Sequence, residues 1–219
     1  VYTTAAGLDG AGRGQTAATP CRSLTNLLGQ YDLGPGDVVF IDNGFYTSAT
    51  RISNADADGT PSNPIMFLGP TNAGASMAIF SNFVLRDAFV LSNARNVRLM
   101  GKITLRSWTN GVRIVQGPPI NASTNNEIRG LTIISNNRYG VFMNGANVDA
   151  NRIVSNSFIG ASGPFWQDYG VAVFFGNRNV ITNNRITGLQ FYGVYFANAA
   201  ASNRVVGNVI RSNDSIGIL

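Results

Sequence analysis

Residues 179–196 read NVITNNRITGLQFYGVYF, and this stretch decides the fold because the same series recurs along the chain. Each copy opens on an asparagine, and successive openings stand 25, 28 and 24 residues apart, at Asn126, Asn151, Asn179 and Asn203. An internal repeat of this length is typical of stacked units, each too small to bury its apolar face alone. We therefore predict one elongated repeat domain covering residues 1–219.

The apolar residues of each repeat indicate the shape of one unit. Ile181 and Ile186 are five residues apart, and other repeats keep this spacing at Ile128–Ile133, Ile153–Phe158 and Val205–Ile210. In a straight strand an odd separation places two side chains on opposite faces, so both face inward only if the chain bends between them. A third apolar alternation follows at Val194 and Phe196. The sequence thus predicts coils of a parallel β-helix, with three short strands and three bends per coil.

An asparagine stands at the predicted bend between the first two strands, at Asn156, Asn184 and Asn208. Asparagine tolerates the left-handed conformation that such a bend needs, and its side chain can bond the local backbone. Stacked coils would bring these residues to about 4.8 Å from one another. We therefore expect a ladder of hydrogen-bonded side-chain amides.

These repeats resemble the right-handed parallel β-helix of the pectate-lyase-like superfamily, whose coils carry such an asparagine ladder. The resemblance is clearest from Ile65 to Leu219. It implies an all-β, single-stranded parallel β-helix with three parallel sheets, and the repeat length predicts seven or eight coils after an N-terminal cap in residues 1–35. A leucine-rich repeat is the alternative fold, disfavoured because Val, Ile and Phe fill the inward rows and no helical segment fits between strands. The superfamily includes lyases, hydrolases, phage tail proteins and non-catalytic modules, so the resemblance alone does not define a function.

Composition excludes sites that depend on histidine and a disulfide within the chain. The chain has no histidine, one cysteine and one lysine, Lys102, and no apolar run long enough to span a membrane. The net charge is +5, but only 12% of residues are charged and the arginines are scattered. A nucleic-acid-binding protein should show a dense basic stripe, so we predict no nucleic-acid partner.

The two ends of the chain predict an N-terminal capping helix and a C-terminal packing surface. Leu24, Leu27 and Leu28 fall on one face of a predicted short helix that would cap the first coil. The opening of the chain, with Pro20-Cys-Arg-Ser-Leu24 and Gly36-Asp37 followed by Gly44-Phe-Tyr46, also resembles the start of many secreted superfamily members, which implies an extracellular or cell-surface location. Leu219 falls inside a predicted third strand, so we expect further coils or another chain to pack there.

A partial calcium-loop pattern occurs in the early coils. Asn54, Asp56 and Asp58 have the spacing of the first ligands of such a loop, but Ile65 replaces its final glutamate. The predicted cofactor is accordingly none or Ca²⁺, and an Asx-rich turn explains the same residues.

Aromatic residues mark the third strand as the candidate binding surface. Alternation places one outward row on it, formed by Arg113, Phe142, Ala172 and Tyr195. Trp108 and Trp166 lie in loops entering this strand, Arg138 precedes one copy of it, and the loop containing Trp166 and Asp168 is the longest. Aromatic faces stack on sugar rings and arginines pair with carboxylates, which predicts a carbohydrate-binding groove. Tyr139, Tyr169 and Tyr192 fit this groove, and they equally fit a stack of tyrosines that shields the turn.

Two functions remain open on these residues. The first is a structural or adhesive module that binds an acidic polysaccharide through the aromatic groove. The second is a polysaccharide lyase acting by β-elimination, which in this superfamily often uses a Lys or Arg base, together with Ca²⁺ or an Arg to neutralise the uronate. The candidate catalytic residues are Lys102, Arg113 and Asp168. Hydrolysis is less favoured, because the paired aspartates of the superfamily's hydrolases are absent.

Overall fold

Three parallel sheets run along the chain in a computed structural model that describes residues 1–53, 57–71, 76–83, 86–118, 122–160 and 166–219. The first sheet contains β1 (Tyr2–Thr3), β2 (Val38–Ile41), β5 (Ile65–Leu68), β8 (Val97–Met100), β11 (Glu127–Arg129), β14 (Arg152–Val154), β17 (Val180–Thr182) and β20 (Arg204–Val206). The second contains β3 (Gly44–Tyr46), β6 (Ala78–Ser81), β9 (Ile103–Arg106), β12 (Thr132–Ile134), β15 (Ser157–Ile159), β18 (Arg185–Thr187) and β21 (Val209–Arg211). The third contains β4 (Thr50–Ser53), β7 (Asp87–Ser92), β10 (Asn110–Val115), β13 (Tyr139–Asn144), β16 (Tyr169–Phe174) and β19 (Tyr192–Ala197).

The chain visits the three sheets in the same order in every coil, which confirms the predicted three-sheet parallel β-helix. From β2 onward the described residues form six complete coils, and β20 and β21 belong to a seventh. An isolated bridge from Val194 to Ile218 continues the third sheet into that coil. The prediction of seven or eight coils was slightly high because the early coils are longer: β5 and β8 begin 97 − 65 = 32 residues apart.

The predicted inward pairs form the core. Ile181 and Ile186 are fully buried, and the equivalent pairs from β11 to β15 are buried with them. In the coil of β8 and β9 the register shifts, because Leu105 rather than Ile103 pairs with Ile133 of the next coil. The extra residue is Ile103 at the start of β9, which has four residues where β12 has three, and both Ile103 and Leu105 are buried.

Two consecutive residues with different roles form the bend between the first two strands of a coil. Ser155 and Asn183, one position before the stacked asparagines, adopt the left-handed conformation with φ of 55° and 56°. The side chains of Asn156 and Asn184 instead point along the β-helix axis and bond the neighbouring coil. The expectation that the asparagines take the left-handed conformation is therefore wrong, since the residue before each of them absorbs the bend.

The side-chain amides of this row bond one coil to the next. Asn156 Nδ2 donates to Asn184 Oδ1 at 3.0 Å, and Asn184 Nδ2 donates to Asn208 Oδ1 at 2.9 Å. Asn184 Oδ1 also accepts from the backbone N–H of Asn156 at 2.8 Å. Asn184 is 1% exposed and Asn156 is 2% exposed, so their amides depend on these protein partners.

A second row of asparagines lies where the third sheet turns back to the first, and it is formed by the residues that open each repeat. Asn126 Nδ2 donates to Asn151 Oδ1 at 3.0 Å, and Asn151 Nδ2 donates to Asn179 Oδ1 at 3.1 Å. Asn203 Oδ1 accepts from the backbone N–H of Asn179 at 2.8 Å. The recurring asparagine that reveals the repeat in the sequence thus satisfies buried backbone groups at this turn.

We predict that Asn184→Ala lowers the free energy of unfolding by about 1–3 kcal/mol, because the buried partners of its amide are left unpaired. Asn137→Ala is the control, since the Asn137 side chain is exposed and its backbone is not at positive φ. Urea denaturation followed by circular dichroism measures both changes. Equal stability of Asn184→Ala and the wild type would show that the stacked amides contribute nothing net.

The N-terminal segment covers the first coil. Helix α1 (Leu24–Leu28) begins after Ser23, whose side chain accepts from the N–H of Asn26, and Leu24, Leu27 and Leu28 are buried as predicted. β1 adds a strand to the edge of the first sheet through Tyr2–Phe40 and Thr3–Ile41 pairs. In the described part of the chain, no helix is long and apolar enough to cross a membrane.

Candidate functional site

A continuous aromatic surface covers the outer face of the third sheet in three successive coils. We call it the aromatic platform, and it consists of Tyr139, Phe142, Tyr169, Phe174, Phe191, Tyr192 and Tyr195. The predicted outward row is confirmed, because Phe142 pairs in register with Arg113 on one side and Ala172 on the other, and Ala172 pairs with Tyr195. Each coil from β13 to β19 therefore carries at least one partly exposed ring on this face, although Tyr139 itself is 4% exposed.

Stacking between coils orders the platform. Tyr139, Tyr169 and Tyr192 pair in register, with ring centroids 4.9 and 5.6 Å apart. Tyr139 stacks on Phe142 at 4.5 Å and Tyr192 stacks on Tyr195 at 5.4 Å, with interplanar angles of 12° and 15°. The predicted tyrosine stack therefore exists, and it extends into the outward row rather than standing apart from it.

The rings form a fixed surface with little freedom to reorganise. Ala172 points outward but is fully buried, so the neighbouring rings cover it. Phe174 packs edge-on against Phe142 at 5.3 Å and Tyr195 at 5.7 Å. Aromatic pairs in this geometry stabilise one another beyond their burial. The platform is therefore ordered before any ligand arrives, which limits the entropy lost on binding.

One cation and one acid border the platform where the chain enters the third sheet. The Arg138 guanidinium lies over the Tyr139 ring, 5.1 Å from its centroid, and the Arg138 side chain is exposed. Burial raises the pKa of the Asp168 carboxyl, and the nearby Arg138 charge offsets part of that rise. The Arg138 carbonyl accepts from the backbone N–H of Asp168 and of Tyr169, both at 3.0 Å, which fixes the two coils side by side.

The two tryptophans have opposite environments. Trp166 is 57% exposed beside Gln167 and Asp168, in the longest loop entering the third sheet; residues 161–165 of that loop lie outside the described residues. Trp108 is 1% exposed, and its indole Nε1 donates to the Phe80 carbonyl at 3.0 Å. The expectation that Trp108 lines the groove is therefore wrong: the turn before β10 directs this side chain into the core.

Arg113 lies at the border of the platform, one coil before Phe142. Its guanidinium is 3.5 Å from the Asp87 carboxylate of the preceding coil, which also accepts from Asn110 Nδ2 at 2.5 Å. Its side chain is 43% exposed, so it remains accessible from solvent. Of the two predicted cations, Arg138 is therefore the one that contacts a platform ring directly.

The structure does not bring the three candidate catalytic residues together. Lys102 lies in the bend between the first and second sheets, whereas Arg113 and Asp168 lie on the third sheet and at its entry. Arg113 and Asp168 are two coils apart, about 10 Å along the axis. A proton-abstracting base and a cation must reach the same sugar, so these three residues cannot act as one catalytic set.

The candidate calcium ligands fall partly outside the described residues, as Asn54 and Asp56 do. Asp58 forms a salt bridge with Arg95, with 2.7 Å between Oδ2 and Nη2. Among the described residues, no group of three or more His, Cys, Asp or Glu side chains could hold a metal ion. The paired arginine gives Asp58 a structural role between two coils.

Phe174 and Phe191 are platform residues that the sequence analysis did not select. Phe191 packs against Tyr169 at 5.9 Å and is 40% exposed. Phe174 ends β16, at the far edge of the outward face. The alternation that places Ala172 outward also places Phe174 outward, so extending the pattern by two residues identifies it.

Comparison with known proteins supports the fold. A family model described as a right-handed β-helix region matches residues 120–219. Among solved structures, pectate lyase Pel9A matches with a TM-score of 0.75 and 13% identity, over 97% of this chain and 54% of that chain. A rhamnogalacturonan lyase matches with a TM-score of 0.56 and 15% identity, over 96% of this chain and 62% of that one. An alginate lyase from Paenibacillus sp. str. FPU-7 matches with a TM-score of 0.53 and 11% identity, over 89% of this chain and 94% of that one. No curated protein sequence matches.

The chain thus has the three-sheet parallel β-helix fold that its repeats predict, and this fold is similar to that of pectate lyase Pel9A. It spans about half the length of the pectate lyase chain it matches. Identities of 11–15% establish a shared fold and do not transfer an activity. Function has to be argued from the platform and its neighbours.

Proposed function

We propose that this chain is a β-helix module that binds an acidic polysaccharide along the aromatic platform, at the cell surface or outside the cell. The observation that carries the proposal is the ordered array of rings in three successive coils, whose partly exposed members present aromatic surface to solvent: Phe142, Tyr169, Phe174, Phe191, Tyr192 and Tyr195. A sugar chain running along the axis would meet a ring about every 4.8 Å. Arg138 and Arg113 supply cations at the border for carboxylates of the chain.

Binding without cleavage is the function favoured by these residues, in a structural or adhesive role. The similar solved structures include lyases named for pectate, alginate and rhamnogalacturonan, and these names support an acidic polysaccharide as the ligand class. Lyase activity is the second candidate, supported by the same likeness. The separation of Lys102 from the platform weighs against it, because Lys102 is the only lysine of the chain.

The test compares Trp166→Ala with the wild type in binding to oligosaccharides of polygalacturonate and alginate. We expect the variant to bind about 1–3 kcal/mol more weakly, because Trp166 adds an exposed ring next to Asp168 at the edge of the platform. Phe45→Ala is the matched control, since Phe45 is 51% exposed but lies on the second sheet. Isothermal titration calorimetry measures both.

Two results would overturn parts of this proposal. If no oligosaccharide binds to the wild type, the platform is a packing surface and the module is a spacer. If the ultraviolet absorbance of unsaturated uronate products rises during incubation with either polymer, the protein is a lyase. Loss of that absorbance in Arg113→Ala or Lys102→Ala would then identify the residue on which cleavage depends.

A further inference from the structure

Positive charge is concentrated in the later coils. Residues 1–97 contain five Lys or Arg and seven Asp or Glu, whereas residues 98–219 contain eleven and four. The net charge is therefore −2 in the first part and +7 in the second. Sequence order alone scatters these arginines, but stacking the coils brings residues about 25 apart into contact.

Two of these arginines bond one glutamate on the outer face of the first sheet, and a third lies beside it in register. Glu127 pairs in register with Arg98 on one side and Arg152 on the other, and Arg129 points outward from the same strand as Glu127. Glu127 Oε1 accepts from Arg129 Nε at 2.6 Å, and Oε2 accepts from Arg152 Nε at 3.1 Å. We call this set, Arg98, Glu127, Arg129 and Arg152, the arginine cluster.

The geometry of the cluster leaves its cations available to a further partner. Both hydrogen bonds use the Nε atom, so the terminal amino groups of Arg129 and Arg152 are not the ones that bond Glu127. The two arginine side chains are 42% and 46% exposed, but the Glu127 side chain is only 12% exposed. The carboxylate thus lies beneath the guanidinium groups and holds them, while their outer edges face solvent.

The electrostatics of Glu127 agree with this arrangement. Burial of its carboxyl acts to raise the pKa, but the hydrogen bonds and charges of Arg129 and Arg152 outweigh burial and hold the pKa below its ordinary value. Glu127 therefore stays ionised at neutral pH. One negative charge among three arginines leaves the cluster with a net charge of +2.

We propose that the arginine cluster is a second binding site, which holds the carboxylates of a polyuronate chain. The planar guanidinium fork matches a carboxylate in a bidentate arrangement, and Glu127 orders two of the forks in advance, which lowers the entropy cost of binding. Met66 beside Arg98, Met100 beside Arg129 and Val180 beside Arg152 give apolar surface for the sugar rings. The site lies on a different sheet from the aromatic platform and does not depend on it.

The test is Arg152→Lys, which keeps the charge but removes the fork and its Nε contact. We expect binding to polygalacturonate chains to weaken by at least about tenfold, the size of one lost charge-assisted hydrogen bond. Arg211→Lys is the matched control, because Arg211 is an exposed arginine on the second sheet, and it should bind as the wild type does. Thermal unfolding checks that both variants are folded, and Arg129→Lys repeats the test if Arg152→Lys is not.

A second background separates this site from the platform. Arg152→Lys should also weaken polygalacturonate binding when it is made in a Tyr195→Ala protein, in which the platform is impaired. The same loss is expected if the platform binds no sugar. Equal binding by Arg152→Lys, Arg211→Lys and the wild type would overturn the proposal. So would a single-stranded DNA that binds as tightly as polygalacturonate with the same dependence on Arg152, since the cluster would then respond to charge alone.

Discussion

Replacing Trp108 with alanine should lower the free energy of unfolding by about 3–5 kcal/mol, the range for deleting a large buried aromatic side chain. Trp108 is 1% exposed and is one of the largest fully buried side chains of the described residues. The substitution also leaves the Phe80 carbonyl without the indole N–H that it accepts at 3.0 Å. Urea denaturation monitored by far-ultraviolet circular dichroism measures the change.

The control for this prediction is the other tryptophan of the same chain. Trp166→Ala should change the free energy of unfolding by less than about 0.5 kcal/mol, as substitutions at exposed positions usually do, because the Trp166 side chain is 57% exposed. Similar losses in the two variants would show that Trp166 is packed in solution. A small loss at Trp108 would show that the turn before β10 can close over the space left behind.

The later coils could be predicted from the sequence because each of their features repeats. The inward pairs such as Ile181 and Ile186 keep one spacing from coil to coil, so one bend per pair follows from the geometry of a strand. The coil of β8 and β9 breaks the spacing, and periodicity alone could not show that Leu105 takes the place of Ile103. The coil count was slightly high for a different reason, since the early coils are longer and β5 and β8 begin 32 residues apart.

Some residues of the candidate site could likewise be predicted from the sequence, and others could not. The outward row through Phe142 and Tyr195 follows from alternation, and the tyrosine stack follows from the recurrence of Tyr-Gly at the start of each strand. Trp108 could not be placed, because a tryptophan in a turn fits a core or a surface equally well until the direction of its side chain is known. The contact between Glu127 and Arg152 needed the exact register of two strands 25 residues apart.

A column of glycines explains why each tyrosine of the stack is followed by glycine. The column is formed by the second residues of β10, β13, β16 and β19, which are Gly111, Gly140, Gly170 and Gly193. A Cβ atom on any of them would lie 2.5–2.7 Å from the carbonyl oxygen of the glycine in the next coil. Glycine inside a strand often marks such a close approach of two backbones. The column therefore brings successive coils together under the tyrosines of the platform.

Gly170→Ala tests this column, and we expect it to lower the free energy of unfolding by more than about 3 kcal/mol, above the usual range for overpacking. The added Cβ would lie 2.5 Å from the Gly193 carbonyl oxygen and 2.9 Å from Ile186 Cγ2. The carbonyl belongs to the backbone and cannot rotate away, so relief requires the coils of β16 and β19 to separate. Gly34→Ala is the matched control, because its Cβ would meet no atom closer than Asp37 Oδ2 at 4.0 Å. Thermal and urea unfolding of the two variants measure the difference, and equal stability would mean that the coils can part at this column without loss of packing.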